Sequence, residues 1–260
     1  MLKSILIVAG LFIRDAVVAQ INESDTLLLQ YTTSWTGSLQ TGNLDAFAVR
    51  VKADFSVAPT KFWAFKTQNA YRYQAFFQRK ADNDFFSRNF AYLLPQGKVY
   101  PFLIAFFSTN YRRKIDFRHF TGAGATWQLV RSQSHILKVS LSGVYESTRF
   151  AGNTYNYPAY DGYEHIGTWR ATAWISGKNK LFGERLRVYY ELYAQPSLKY
   201  NNNFRWQAEA GLEWPLWKGL SIAATYLFTH ENVVISSVKR SDGLLTFGIA
   251  WSGKTGRAHL

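Results

Sequence analysis

The sequence predicts an all-β protein, a transmembrane up-and-down antiparallel β-barrel of about twelve strands and of the outer-membrane type. Two observations carry this prediction. Polar and apolar residues alternate in one segment after another along the chain. The connections between these segments are short on one side of the expected barrel and include the longest ones on the other.

The alternation is regular from Gln30 to Gln40, where every second residue is polar and most of the residues between are apolar. Successive side chains of a strand point to opposite faces, so this segment has one polar and one apolar face. In a membrane barrel the apolar face contacts lipid and the polar face lines the lumen. The same pattern predicts strands at 29–40, 45–57, 62–75, 83–94, 99–111, 117–130, 135–149, 164–176, 182–195, 203–214, 219–230 and 243–252.

The connections between the predicted strands fall into two groups. If the N-terminus lies in the periplasm, the periplasmic connections are all short, at 58–61, 95–98, 131–134, 177–181 and 215–218. The connections on the other side include the two longest, 150–163 and 231–242. Short periplasmic turns with longer outer loops are typical of outer-membrane barrels.

The composition favours a membrane barrel over a soluble protein. The length and the 47% apolar content would also allow a soluble β-sandwich or two small domains. Nine Trp and sixteen Tyr are more than a soluble domain needs, and both residue types accumulate at membrane interfaces. Cysteine is absent, which excludes disulfides, thiolate metal sites and a thiol nucleophile.

The first residues have the pattern of a signal peptide. Lys3 precedes an apolar run at 5–13, and small residues follow before an expected cleavage site near Gln20. The run is too short for a helical membrane span, and a buried N-terminal helix is the alternative. We therefore expect a signal peptide at 1–19, one outer-membrane β-barrel domain at 20–260, and export to the bacterial outer membrane.

The mature chain is strongly basic. Removing residues 1–19 leaves 28 basic and 16 acidic residues, a net charge of +12. The basic residues are scattered singly and accompany no nucleic-acid motif, so no nucleic-acid partner is expected. A basic surface suits the anionic head groups of outer-membrane lipid and lipopolysaccharide. We expect these lipids as partners, together with the barrel assembly machinery during insertion.

The ionisable residues on the polar faces are the candidate functional residues. A basic side chain facing hydrocarbon at mid-depth would cost about 2–4 kcal/mol, so these residues are expected to face the lumen. Cross-strand ion pairs are expected between the ninth and tenth strands, among Arg187, Glu191, Arg205 and Glu209. The candidate lumen-lining residues, eight basic and four acidic, are Arg50, Lys52, Lys66, Arg72, Lys138, Glu146, Arg170, Arg187, Glu191, Arg205, Glu209 and Glu213.

Two functions fit such a lumen. In the preferred interpretation ion pairs plug the barrel, and the protein is a structural or stress-related component of the envelope. In the alternative, the excess of basic residues lines a narrow channel for small anionic solutes. Twelve strands give a lumen intermediate between side-chain-filled eight-stranded barrels and open porins. The loop 150–163, rich in tyrosine, is expected to pack on itself, with sugar binding or insertion into the lumen as alternatives.

No catalytic, cofactor or metal site is expected. Outer-membrane phospholipases pair a His with a Ser two positions later on one strand face, and none of the five histidines has that serine. Ser134 and His135 are adjacent, but neighbours in a strand point to opposite faces. The histidines are scattered without closely spaced carboxylates, which disfavours a metal site. Enzyme activity is therefore the third and least favoured class.

Three stretches together carry a resemblance to a known family. They are Gln40-Thr41-Gly42-Asn43, the segment 122–129 (GAGATWQL) and the segment 140–146 (SLSGVYE). In order and spacing they resemble the family of salt-induced outer membrane proteins, domain-of-unknown-function family 481. The family often has a serine in its Thr-Gly-Asn turn, where Thr41 here meets Gly42 directly. The resemblance implies an outer-membrane barrel with a role in salt or osmotic stress, and it supplies no catalytic residues.

Two of these stretches also predict local structure. Gly42-Asn43 suits a tight turn that needs positive φ. Gly122 and Gly124 are expected on the inward face of a bending strand.

Overall fold

The computed structural model describes residues 21–25, 27–41 and 45–256. Within these residues the chain forms a closed barrel of twelve antiparallel strands, in which consecutive strands pair and β1 pairs with β12. The predicted fold class is confirmed. The strands are β1 (Leu29–Gln40), β2 (Ala46–Val57), β3 (Trp63–Phe76), β4 (Arg79–Leu93), β5 (Val99–Asn110), β6 (Ile115–Arg131), β7 (His135–Phe150), β8 (His165–Leu181), β9 (Leu186–Pro196), β10 (Phe204–Trp217), β11 (Leu220–Glu231) and β12 (Ser241–Thr255).

Some sequence predictions fall outside this range. The signal peptide at 1–19, its cleavage site near Gln20 and the turn at Gly42-Asn43 lie outside the described residues. Among the residues that are described, no helix is both long enough and apolar enough to cross a membrane.

The outer surface of the barrel is apolar along the strands. Outward-facing Leu103 and Phe247 are 59% and 64% exposed, whereas inward-facing Arg118 and Lys138 are 7% and 5% exposed. A soluble domain has the opposite arrangement, with apolar side chains inside. Lipid-facing strands require this inversion because hydrocarbon accepts apolar side chains and rejects charges. The exposed belt includes Trp35, Phe47, Phe55, Trp127, Leu141, Trp169, Ile175, Ile222 and Ile249.

Two of the predicted connections are wrong because the strands continue through them. β8 runs to Leu181, so the connection predicted at 177–181 moves to 182–185. Gly177 is a strand residue beneath the ring of Tyr190, where an added Cβ would lie 2.2 Å from the ring. β10 likewise continues through Pro215. Its pairing with β11 is irregular between Pro215 and Trp217, and a proline, which has no N–H to donate, is accommodated at such a position.

The two ends of the barrel differ. One end, here called the turn end, carries the short connections 58–62, 94–98, 132–134, 182–185 and 218–219 and the described N-terminal segment, residues 21–25. The opposite loop end carries the two longest connections, 151–164 and 232–240. This asymmetry agrees with the prediction from the sequence.

One sector of the interior is filled by apolar side chains. Inward-facing residues, mainly of β4 to β7, form a buried cluster in which Phe106 stacks on Phe120 with ring centres 4.3 Å apart. Gly122 and Gly124 lie on the inward face of β6, as expected, and a Cβ on Gly124 would lie 2.8 Å from Phe102. The polar part of the lumen is therefore displaced towards β1–β3 and β8–β12. The cluster comprises Ala58, Ala64, Phe90, Tyr92, Tyr100, Phe102, Ile104, Phe106, Phe120 and Val144.

Candidate functional site: the barrel lumen

Two cavities, each of about 180 Å³, lie in the lumen that the described residues enclose. The turn-end cavity adjoins the N-terminal segment, and the loop-end cavity lies beneath the long loops. They meet at a middle layer of residues that line both. The middle layer consists of Arg50, Lys52, Asp54, Gln68, Arg88 and Glu209.

Ion pairs span the lumen at the middle layer. Lys52 Nζ of β2 lies 2.7 Å from Glu209 Oε1 of β10. Arg88 of β4 donates two parallel hydrogen bonds to Glu191 of β9, at 2.9 and 3.0 Å. Neither pair joins neighbouring strands, so each bridge crosses the interior and divides it into the two cavities.

Arg88 is fixed on all sides. Its Nε donates to Gln68 Oε1 at 3.0 Å, and its guanidinium lies 4.3 Å from the ring centre of Trp174. Bidentate hydrogen bonding to a carboxylate combined with stacking on an aromatic ring holds a guanidinium in one orientation. Arg88 and Glu191 therefore form a fixed bridge across the middle layer.

A second set of ion pairs crosses the lumen near the loop end. Arg118 of β6 donates two hydrogen bonds to Glu231 of β11, at 2.7 and 2.9 Å. Arg113, in the turn before β6, reaches Asp242 of β12 with a contact of 3.0 Å. Glu146 accepts a hydrogen bond of 3.1 Å from Arg170 and forms an ion pair with Arg205.

The two long loops pack on each other above these bridges. Asn156 donates through Nδ2 to the carbonyl of Asn232 at 2.8 Å and accepts from the N–H of Val234 at 2.9 Å. Tyr155 forms a β-bridge with Ile235, and burial raises the pKa of Tyr155 to about 12. The buried apolar cluster between the loops and strand ends is Ile115, Phe150, Tyr155, Tyr160, Ile166, Val233 and Ile235.

The N-terminal segment enters the turn end of the lumen. Its residues 21–24 are all buried. Glu23 lies 2.7 Å from Lys138 Nζ and 3.6 Å from Lys66 Nζ, and it accepts a hydrogen bond of 2.8 Å from the Tyr100 hydroxyl. Burial opposes ionisation of Glu23, but Lys138 and Lys66 together hold the pKa of its carboxyl below the ordinary value.

Further contacts hold the segment on both sides of Glu23. Lys178 donates to the carbonyl of Ile21, and Arg131 donates to the carbonyl of Ser24 at 2.7 Å. Asp25 pairs with Lys254 of β12 at 2.9 Å, nearer the rim. The segment is therefore held inside this end of the lumen by side chains of several strands.

Comparison with known proteins places the chain in a family. The DUF481 family, described as a protein of unknown function, matches residues 35–252. The chain belongs to the DUF481 family. The assignment to domain-of-unknown-function family 481, made from the three sequence stretches, is thereby confirmed, and the match does not bear on the salt-induced description. No curated protein matches this DUF481 protein.

Several solved barrels are similar in fold at very low identity. The NanC porin is 9% identical with a TM-score of 0.49, over 85% of this chain and 98% of that one. The translocator domain of the autotransporter NalP from Neisseria meningitidis is 8% identical with a TM-score of 0.43, over 86% of each chain. The beta domain of the Bordetella autotransporter BrkA is 10% identical with a TM-score of 0.41, over 87% and 99%. These similarities carry no information about function.

The structure brings most of the candidate residues of this DUF481 protein to the cavities. Nine of the twelve line one or both of them: Arg50, Lys52, Lys66, Arg72, Lys138, Glu191, Arg205, Glu209 and Glu213. Glu146 and Arg170 are buried together in the loop-end ion-pair network. Arg187 is also buried, and two of its guanidinium nitrogens have no hydrogen-bond partner among the described residues.

The expected ion pairs between β9 and β10 are wrong. Glu191 stands opposite Glu209 in the strand register, so like charges face each other there. Arg205 stands opposite Gln195 and donates to its Oε1 at 2.6 Å. The partners of these charges lie across the lumen, because the inward side chains of a narrow barrel reach strands that are far apart in the sheet.

Some residues of the lumen were missed from the sequence. Arg88, Arg118 and Glu231 form ion pairs across the interior. In the alternation of its strand, each residue occupies one of the positions that face inward. That position is the signal that could have identified them. It was obscured at Arg88, because β4 has apolar residues on both faces near this point.

One serine and histidine meet outside the lumen. The Ser147 hydroxyl is hydrogen-bonded to His165 Nε2, between β7 and β8 and on the same face of β7 as the exposed Tyr145. The search for a serine two positions after a histidine could not find this cross-strand pair. Among the described residues no carboxylate hydrogen-bonds or ion-pairs with His165, so the pair has no group to orient its base.

Proposed function

We propose that this protein is an outer-membrane barrel with a closed lumen, which serves the envelope as a structural component under salt or osmotic stress. The observation that carries the closed lumen is the partition formed by Lys52–Glu209 and Arg88–Glu191. The stress role rests on the family resemblance in the sequence.

The partition argues against a general diffusion pore. Such a pore needs a continuous water-filled path, and both bridges cross that path at the same level. Opening it would separate two ion pairs, of which Arg88–Glu191 is also bidentate and stacked on Trp174. Breaking a partly buried pair of this kind without compensation costs about 2–3 kcal/mol, less than the cost for a fully buried pair. A closed lumen is then the resting state.

The proposed location is the outer membrane, after export by a signal peptide at 1–19 and insertion by the barrel assembly machinery. The apolar outer belt supports insertion into a bilayer. Exposed basic residues near the loop end support contact with the phosphates of lipopolysaccharide. They are Arg79, Lys80, Arg112, Lys114, Arg149, Lys199, Lys239 and Arg240.

Single-channel recording in a planar lipid bilayer tests the closed lumen. Folded parent protein, verified by heat-modifiable migration in gels, should insert and give no steady conductance steps. A matched variant removes both bridges, by Arg88→Ala with Glu191→Ala and by Lys52→Ala with Glu209→Ala, so that neither bridge leaves an unpaired charge, and it should conduct. Steady steps from the parent would contradict the proposal.

A narrow anion channel is the second candidate, and the charge of the loop-end cavity favours it. Eight basic and five acidic side chains line this cavity. Arg50, in the middle layer, forms no ion pair with another described residue. If conductance steps are seen, the reversal potential measured in a salt gradient should show that anions pass in preference to cations. Arg50→Gln should reduce this preference for anions. Cation selectivity would exclude this candidate.

An enzymatic role is not part of the proposal. The Ser147–His165 pair lacks an orienting carboxylate among the described residues. A phospholipase assay in mixed micelles, with Ser147→Ala as the control, should show no difference between parent and variant. Lipid hydrolysis that depends on Ser147 would overturn this view.

A further inference from the structure

The wall of the barrel contains a place built to hold a carboxylate. Lys66 of β3, Tyr100 of β5 and Lys138 of β7 converge on the carboxylate of Glu23. Tyr100 is fully buried, and the side chains of Lys138 and Glu23 are each 6% exposed. The donors come from three different strands, whereas the acceptor comes from the N-terminal segment.

We propose that Lys66, Tyr100 and Lys138 form a carboxylate-binding site that Glu23 occupies in cis, and that small carboxylates compete with Glu23 for it. The site would thus take a monocarboxylate or dicarboxylate of the lumen in place of the segment. This goes beyond the proposed function, since a closed barrel can bind a ligand without conducting.

The positive charges around the carboxylate of Glu23 belong to side chains of the barrel wall. Among the described residues, Glu23 is the only carboxylate within ion-pair distance of Lys66 or Lys138. Lys178 lies close by and donates to the backbone of the segment. If Glu23 leaves, the buried ammonium group of Lys138 and the partly exposed one of Lys66 lose their only carboxylate partner among the described residues. An unpaired buried charge is costly, so each amine must then bind another anion or lose its proton.

The occupant is held in a way that permits exchange. The N-terminal segment is not part of any strand, and the backbone of residues 21–24 is held mainly by side chains, such as those of Lys178 and Arg131. A strand of the barrel could not leave without breaking a ladder of backbone hydrogen bonds, whereas this segment breaks side-chain contacts alone.

A ligand has room to reach the site. The turn-end cavity is lined by Asn22 and Glu23 as well as by Lys66, Lys138 and Lys178. Its volume of about 180 Å³ accommodates a small organic acid beside the segment. Access therefore does not require the partition at the middle layer to open.

Chemical rescue tests the site directly. In the full-length variant Glu23→Gly the missing side chain has the shape of propionate. Isothermal titration with propionate, in a carboxylate-free buffer, should give one-to-one binding to Glu23→Gly at least about tenfold tighter than to the parent. Propionamide, which is neutral and of the same shape, should not bind. Adding Lys138→Met should abolish propionate binding.

The matched control is Asp25→Gly. Asp25 belongs to the same segment and has its own lysine partner, Lys254, but it lies nearer the rim. This variant should bind propionate no better than the parent. Equal binding by both glycine variants, or no binding by folded Glu23→Gly, would overturn the proposal. If Glu23→Gly does not fold, Glu23→Ala leaves a space with the shape of acetate and should bind acetate more tightly than the parent does.

Exchange in the parent sequence is tested with a single cysteine. The chain has no native cysteine, so Ile21→Cys reports only on the segment. Propionate should accelerate thiol labelling of this buried position relative to chloride at equal ionic strength. Equal rates would overturn competition with Glu23. A conducting parent would overturn the closed lumen but leave the carboxylate site standing, so the two proposals fail separately.

Discussion

Glu191 and Glu209 stand directly opposite each other in the β9–β10 register, and each is neutralised from the far side of the barrel. Arg88 of β4 binds Glu191, and Lys52 of β2 binds Glu209. Like charges directly opposite each other destabilise a sheet. The two spanning bridges therefore compensate for this repulsion and also tie opposite walls together.

Arg88→Met should destabilise the barrel, because it leaves two neighbouring carboxylates with one base between them. We expect the free energy of unfolding to fall by about 2–3 kcal/mol, less than for a fully buried pair because water reaches the partner. The side chain of Glu191 is 21% exposed. Urea unfolding in lipid vesicles, followed by tryptophan fluorescence, measures the change.

Two controls define the cause. Arg149→Met removes a base from an exposed pair with Asp116 and should change the free energy by less than about 0.5 kcal/mol. Arg88→Met with Glu191→Gln should be less destabilising than the sum of the single changes. Additive effects would show that the loss of stability does not arise from leaving Glu191 without its base.

Gly122→Ala should be strongly unfavourable. An added Cβ would lie 2.1 Å from the carbonyl oxygen of Gly143 and 2.7 Å from Val144 Cα, both backbone atoms of β7. Backbone cannot move aside like a flexible side chain, so we expect a loss of about 1–3 kcal/mol in urea unfolding. Gly143→Ala is the matched control, since a Cβ there meets nothing within 4 Å. Equal effects at both positions would contradict the packing argument.

The strands could be predicted where their two faces differ. β1 was placed at its observed bounds because polar residues alternate along it without interruption. The end of β8 was misplaced because glycine usually marks a turn, whereas Gly177 makes room for the ring of Tyr190. Alternation reports which face a residue takes, and it does not report what packs on that face.

The site could be predicted only in part for the same reason. Alternation identifies Lys52 and Glu209 as inward residues, but it cannot show that β2 and β10 face each other across the lumen. The N-terminal segment was missed altogether. Its residues lie outside the strands and have no alternation, so their burial follows from contacts such as Glu23–Lys138 alone.

Acid should release the N-terminal segment. The pKa of Glu23 is lowered in the folded protein from an ordinary value of 4.5. Its contribution to stability is therefore fully present above about pH 4.5 and is lost progressively as the pH falls towards the folded pKa. Dipyridyl disulfide, which reacts with thiols in acid, should label Ile21→Cys faster as the pH drops below 4.5. The rate is expressed relative to a cysteine at exposed Ser236.

The pH effect should disappear when Glu23 cannot ionise. In Glu23→Gln with Ile21→Cys the relative labelling rate should already be high at neutral pH and change little in acid. A parent whose relative rate stays constant between pH 6 and pH 3 would show that Glu23 does not hold the segment in place.

Asn156→Ala should loosen the contact between the two long loops. The side chain of Asn156 makes two hydrogen bonds to the backbone of the other loop, to Asn232 and from Val234. Each is worth about 1 kcal/mol, and their loss leaves two backbone groups unpaired. Trypsin should then cut faster after Lys239 or Arg240, at the end of the second loop. Asn153→Ala is the control, because Asn153 is exposed in the same loop. Equal cleavage of both variants would mean that the loops are held by the apolar cluster around Tyr155 and Ile235 instead.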